Sequence, residues 1–312
     1  MESLMLCLSG IVPILIMAAL GYGAKRAGFI RQEDVPRANK WAFAVLMPLM
    51  CFYNIYTSDL NSALRPKLIV FTVIAIFVIY ALSFGYSLLF VKERFSRSVV
   101  IQGLFRSNFV ILGLPLAAGL VPDGDIGVAA VMGAIVVPIY NVLAVITLEA
   151  YNGEKISARK LLLNIVRNPL ILGSVAGILF LALHIQVPEI LLKPVRDFGK
   201  AASPIMLFLL GAFFSFNIDT ASLRRTLAVC IGRLIVVPAL VFTAALLLGF
   251  RGIELVTLLA IFASPTAVAS FTMADQLGGD AKLAGNIVVL TSFLSAFTLF
   301  GWSYLLKVLN FY

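Results

Sequence analysis

Charge is what this chain has least of. Only 12% of its 312 residues are Asp, Glu, Lys or Arg, against about 25% in a soluble domain, too little polar surface to cover a water-facing globule. Histidine is nearly missing: His184 stands alone, which excludes a histidine-based metal centre or proton relay. The three cysteines, Cys7, Cys51 and Cys230, lie in or beside apolar stretches with no CxxC or metal-ligand spacing. They read as small apolar fillers, not as a disulfide framework. HExxH, a P-loop and a clustered Ser/His/Asp set are also absent, and LGGD at 277–280 has no second aspartate in an apolar segment. No metal, cofactor or catalytic role is expected.

What the chain does have is hydrophobicity, 61% of residues, gathered into runs of about 20, the length that crosses ~30 Å of hydrocarbon. Ten such runs stand at roughly 5–24, 38–57, 67–91, 98–121, 126–149, 162–183, 201–218, 226–249, 253–274 and 283–308. Backbone polar groups in a bilayer must be satisfied within the segment, so the expected fold is an all-α polytopic membrane protein with ten transmembrane helices. The first run has Glu2 and no basic residue ahead of it, unlike a signal peptide, so it reads as a span that stays. The loops after odd-numbered spans hold fifteen Lys and Arg, and the opposite side holds seven. The positive-inside rule puts the richer side in the cytoplasm and both termini on the non-cytoplasmic side of the cell membrane. The net charge of +9 then reflects topology, and no nucleic-acid partner is expected.

The two halves of the chain repeat. Pro13 and Pro169 are 156 positions apart, as are Pro48 and Pro204 and Gly21 and Gly177. Five spans fall in each half, 1–152 and 153–312, with no soluble domain. Five is odd, so the second half enters the membrane inverted, as in many transporters.

In each half the fourth span carries helix breakers at its middle: Gly113, Pro115 and Gly119 in span four, Ser264-Pro265-Thr266 in span nine. Proline removes a backbone donor, and half-helix N-termini at mid-membrane favour an anion. Asn108 and Asn141 stand near these breaks, as do Thr266, Ser270 and Thr272, with Asn286, Thr291, Ser292 and Ser295 in span ten. Any single Ser or Thr is equally well explained as a bond between neighbouring helices. Arg106 lies nine residues beyond Arg97, about 13 Å deep, with no acid between it and Pro115. Such an arginine snorkels or faces a partner or watery cavity, and a carboxylate substrate would suit it. Arg233 is a weaker second case, and Glu149 stands where it could pair with either. No Asp or Glu lies at either break, unlike the paired carboxylates of a sodium/proton antiporter.

SNFVILGLPLA in span four, PIYNVLAV in span five, and SPTAVASFTMADQLGGD running on to NIVVLTSFLSAFTL in span ten resemble the auxin efflux carrier family, in its bacterial branch of malate- and malonate-permease-like proteins. The resemblance covers the whole chain. It implies two inverted five-helix repeats, with helices four and nine crossing as broken helices at Pro115 and Pro265. It also implies a scaffold of spans one, two, six and seven, a mobile bundle of the rest, and a homodimer through the scaffold. The substrate would be a small carboxylate, a dicarboxylate or an auxin-like monocarboxylate, held by backbone amides after Pro115 (Leu116) and Pro265 and by Asn108, Asn141, Thr266, Ser270 and Arg106. Span three here has no charge from Leu68 to Val91 and the mid-chain loop is only YNGEKISARK; plant members have an acid and a long loop there. A secondary transporter working by alternating access is the reading. The alternatives are a sodium-coupled symporter of the bile-acid type and, from another class, a non-transporting receptor or intramembrane enzyme.

Overall fold

The structure, a computed structural model, describes residues 2–58, 64–121, 127–151, 158–215 and 218–312. The expected boundary between the halves, at 152–153, lies outside the described residues. Among those described, the chain is helical throughout and contains no strand beyond one isolated bridge. The first half comprises α1 (Glu2–Arg26), α2 (Val35–Trp41), α3 (Met47–Tyr56), α4 (Pro66–Phe90), α5 (Arg94–Phe105), α6 (Leu114–Leu120) and α7 (Gly127–Tyr151). The second comprises α8 (Ala158–Arg167), α9 (Pro169–Ala182), α10 (Glu189–Phe213), α11 (Thr220–Ile231), α12 (Val237–Leu247), α13 (Ile253–Phe262), α14 (Ala269–Gln276) and α15 (Ala281–Val308).

Among the described residues, four helical segments are long and apolar enough to cross a bilayer: Pro66–Phe90, Gly127–Tyr151, Thr220–Leu247 and Ala281–Val308. α4 turns Val70, Ile74, Phe77 and Val78 outward, a surface suited to acyl chains and not to water. One expectation is corrected by α10, which starts at Glu189 and not near 201. Its first half carries Glu189, Lys193, Arg196, Asp197 and Lys200, an amphipathic stretch that a search for purely apolar runs passes over. Arg196 pairs there with Glu189 at 2.9 Å.

Prolines leave a local mark. Among the described residues, three π turns, Ala42–Leu46, Phe109–Gly113 and Gly232–Val236, each end two residues before a proline, Pro48, Pro115 and Pro238. A proline ring clashes with the carbonyl four residues back and offers no N–H to it, and a wider turn relieves the clash while the helix continues. At Pro238 the freed carbonyl of Leu234 accepts a bond from Trp302 Nε1 at 2.9 Å.

Packing follows the same offset as the prolines. α1 packs on α10, and α3 on α9. A Cβ added at Gly21 of α1 would lie 1.9 Å from the Phe208 carbonyl oxygen of α10, and one at Gly177 of α9 would lie 3.0 Å from that of Phe52 in α3. Gly177 is 156 beyond Gly21, and Phe208 is 156 beyond Phe52. α5, α13 and α14 lie in the interior, with most of their side chains buried.

Candidate functional site

Two interrupted helices meet inside the protein. α5 ends at Phe105 and helix resumes at Phe109; α13 ends at Phe262 and helix resumes at Ala269 in α14. The second gap follows from local chemistry, since Pro265 disfavours helical backbone at Ser264 and lacks a donor of its own. The first gap contains no proline. Arg106 is extended (φ −86°, ψ 121°) and Asn108 sits at φ −83°, ψ 44°, held there by the other gap. Asn108 N–H donates to the Pro265 carbonyl at 2.8 Å and Ala267 N–H to that of Arg106 at 3.3 Å. The result is an antiparallel bridge between Ser107 and Thr266.

Helix C-termini leave carbonyls without partners, yet most of those at the two gaps are met. Gly103 O accepts from Thr266 Oγ1 at 2.8 Å and Ala260 O from Ser264 Oγ at 2.6 Å. The Arg233 guanidinium donates to Ser264 O (2.9 Å), Ile261 O (3.0 Å), and Leu104 O and Phe105 O (both 3.3 Å). The chains touch after crossing too: a Cβ on Gly113 would lie 2.5 Å from Ala260 O.

A small cavity of about 60 Å³ lies beside the crossing. Arg106, Ser107, Asn108, Tyr140 and Asn141 are its polar lining; Met47, Cys51 and Met206 also line it. Arg106 is 4% exposed. It donates to Asn141 Oδ1 at 2.7 Å and to Gln102 Oε1 at 3.4 Å, and contacts Met273 Sδ. Asn141 Nδ2 in turn reaches Cys51 Sγ at 3.3 Å. All of these partners are neutral, and among the described residues no Asp or Glu forms an ion pair with Arg106 or Arg233. Asn108 Nδ2, Ser107 Oγ and the Tyr140 hydroxyl are buried without a partner. An unsatisfied buried polar group costs ~1–3 kcal/mol, and an anionic acceptor in the cavity would relieve several such costs at once. The hollow of about 460 Å³ between α1, α10, α11 and α15 is larger, but its walls are almost wholly apolar and offer no charge.

Of the residues expected from sequence, Arg106, Asn108 and Asn141 line the cavity. Pro265 and Thr266 build the crossing itself. Ser270 is buried in α14 with its hydroxyl unpartnered, outside the cavity wall. Pro115 and Leu116 belong to α6, which packs on α1 and α13, and do not reach the cavity. The first break is therefore at Arg106–Asn108, not at Pro115, because the π turn Phe109–Gly113 absorbs that proline without stopping the helix. Glu149 accepts from Asn164 Nδ2 at 2.8 Å, and among the described residues it forms no ion pair with an arginine. Tyr140, Ser107 and Cys51 were not singled out from sequence, although Tyr140 and Ser107 are chain neighbours of Asn141 and of Arg106 and Asn108. Thr266→Val should cost ~1 kcal/mol by removing one buried hydrogen bond of near-isosteric shape; thermal unfolding in detergent checks this, and no change would leave Gly103 O indifferent to its partner.

A multi-pass membrane protein with this arrangement falls among transporters. The family described as membrane transport proteins matches residues 6–303, nearly the whole chain. The chain belongs to that family, in keeping with its resemblance to auxin efflux carriers. It is 24% identical over 302 residues to an uncharacterized transporter of Methanocaldococcus jannaschii, covering 93% of this chain and 96% of the other. It is 25% identical over 312 residues to a protein of Rhizobium meliloti named "Putative malonate transporter", covering 95% of each. An uncharacterized transporter of Methanothermobacter thermautotrophicus is 22% identical over 303 residues, covering 95% of this chain and 97% of the other.

Proposed function

We propose that this protein is a secondary transporter of a small organic anion, a carboxylate, working by alternating access with the anion bound at the crossing. The observation that carries this is the buried Arg106 guanidinium on the cavity wall, whose hydrogen-bond partners are all neutral. A substrate carboxylate is the group that would neutralise it, with Asn108 and Tyr140 adding donors. The name of the R. meliloti relative supports a carboxylate.

The accompanying architecture is ten membrane helices in two inverted five-helix repeats. The offset of 156 supports it: shifted by that amount, α1 (2–26) falls on 158–182, the extent of α8 and α9, and α7 (127–151) falls within α15 (281–308). α1, α2–α3, α8–α9 and α10 form the scaffold, through which a homodimer would assemble, and the remaining helices form the moving bundle. The cavity supports this division, since Met47, Cys51 and Met206 come from the scaffold side and Arg106, Asn108 and Asn141 from the bundle. Both termini face away from the cytoplasm of the cell membrane.

Uptake of labelled malonate and of monocarboxylates into proteoliposomes tests the reading. Asn108→Ala and Asn141→Ala should each weaken substrate affinity about 10- to 100-fold while the protein still inserts, as expected for a lost hydrogen bond to a charged group. Normal affinity in both would move the site elsewhere. Replacing sodium with potassium should leave uptake unchanged, because the crossing offers no carboxylate to coordinate a cation. Sodium-dependent uptake would favour the bile-acid-type alternative.

A further inference from the structure

We propose that Arg233 is the positioning residue of the crossing, a single guanidinium that ties the C-terminal ends of both half-helices and thereby fixes the backbone amides turned toward the anion. The inference rests on the site proposed above and adds a residue that does not line the cavity. Arg233 lies in the π turn between α11 and α12, and no part of it is exposed. Its donors go to four carbonyls on two separate segments: Leu104 and Phe105 where α5 ends, and Ile261 and Ser264 where α13 ends. None goes to an acid. Burying a guanidinium without a carboxylate is costly, and capping alone does not require it, since Thr266 and Ser264 already cap Gly103 and Ala260 with hydroxyls.

What a single hydroxyl cannot do is donate to several carbonyls of both helix ends at once and carry charge. The planar guanidinium presents several donors in fixed directions, whereas a lysine ammonium is a point charge on a flexible stem. It also sets a positive charge against the negative ends of two helix dipoles. The repeat does not duplicate it, because the position 156 residues earlier is Phe77, half exposed on α4. One arginine serves both breaks. With both C-terminal ends neutralised this way, the N-terminal ends at Phe109 and Ala269 remain without an acid, and the anion completes the set.

Hydrogen-exchange mass spectrometry on wild type, Arg233→Lys and Arg233→Gln tests the proposal, alongside malonate titration by thermal shift. Peptides spanning 104–112 and 262–270 contain the Asn108 and Ala267 amides that bond across the crossing. Both variants should exchange there about tenfold faster or more, the scale of one lost charged hydrogen bond, with other peptides unchanged, and malonate affinity should fall by about the same factor. Lysine should not rescue. The proposal is overturned if Arg233→Lys matches wild type in these peptides, because charge alone would then suffice. It is equally overturned if exchange accelerates evenly along the chain, because Arg233 would then support the fold in general. If wild type binds neither malonate nor a monocarboxylate, the proposed function fails, and the exchange comparison still decides whether Arg233 holds the crossing.

Discussion

Arg106→Gln is expected to remove most of the carboxylate affinity while leaving the empty protein as stable as before, or more so. The two effects differ because the guanidinium does two things. It is buried with neutral partners, and an uncompensated buried charge costs free energy, so its removal relieves the empty state. Once an anion binds, the same charge supplies the strongest hydrogen bond available, ~1.5–3 kcal/mol, or about 10- to 150-fold in affinity. Wild type should gain ~2.7 kcal/mol at one hundred times the dissociation constant, and the variant should gain only about 0.3–1.4 kcal/mol at the same concentration. Lys307→Gln, at the exposed end of α15, is the control and should behave as wild type. Thermal unfolding with and without malonate or a monocarboxylate gives both quantities. If Arg106→Gln and Lys307→Gln are equally mild, Arg106 snorkels and the anion sits elsewhere.

Gly21→Ala and Gly211→Ala should each destabilise the protein severely, and Gly23→Ala, two residues from Gly21, should not. A Cβ at Gly21 would stand 1.9 Å from Phe208 O, and one at Gly211 would stand 1.8 Å from Ala18 O. Both obstacles are backbone, so α1 and α10 must move apart along their shared length, at a cost of ~1–3 kcal/mol or more. Around Gly23 nothing lies within 4 Å, and alanine in a helix is favoured over glycine by up to ~1 kcal/mol. Opposite signs are therefore expected on one helix. Gly177→Ala should fall between them, because its nearest obstacles lie at 3.0 Å. The readout is the folded fraction on heating in detergent. Equal behaviour of Gly21→Ala and Gly23→Ala would mean that α1 and α10 are not in backbone contact in the membrane-embedded protein.

What the sequence settled by itself was local or periodic. Apolar runs set where long helices form, because a bilayer demands a fixed length of internally bonded backbone. The gap at Ser264-Pro265-Thr266 was also legible, since proline acts on its own residue and on the one before it. Arg106, Asn108 and Asn141 stood out as polar groups in apolar surroundings, and all three reached the cavity wall.

The tertiary structure decided the rest. Pro115 looked like a helix end, but a π turn absorbs it, and whether a proline kinks, widens or stops a helix depends on what takes up the freed carbonyl. The first gap has no breaker of its own. It opens because the amide of Asn108 finds the carbonyl of Pro265, a pairing across half the chain that no local pattern encodes. Glu149 and Arg233 looked like potential partners; one binds Asn164 and the other binds only backbone carbonyls. A carbonyl is present at every position, so a sequence carries no mark of which ones a buried guanidinium will meet. Only the crossing of two interrupted helices brings four of them within reach of one side chain.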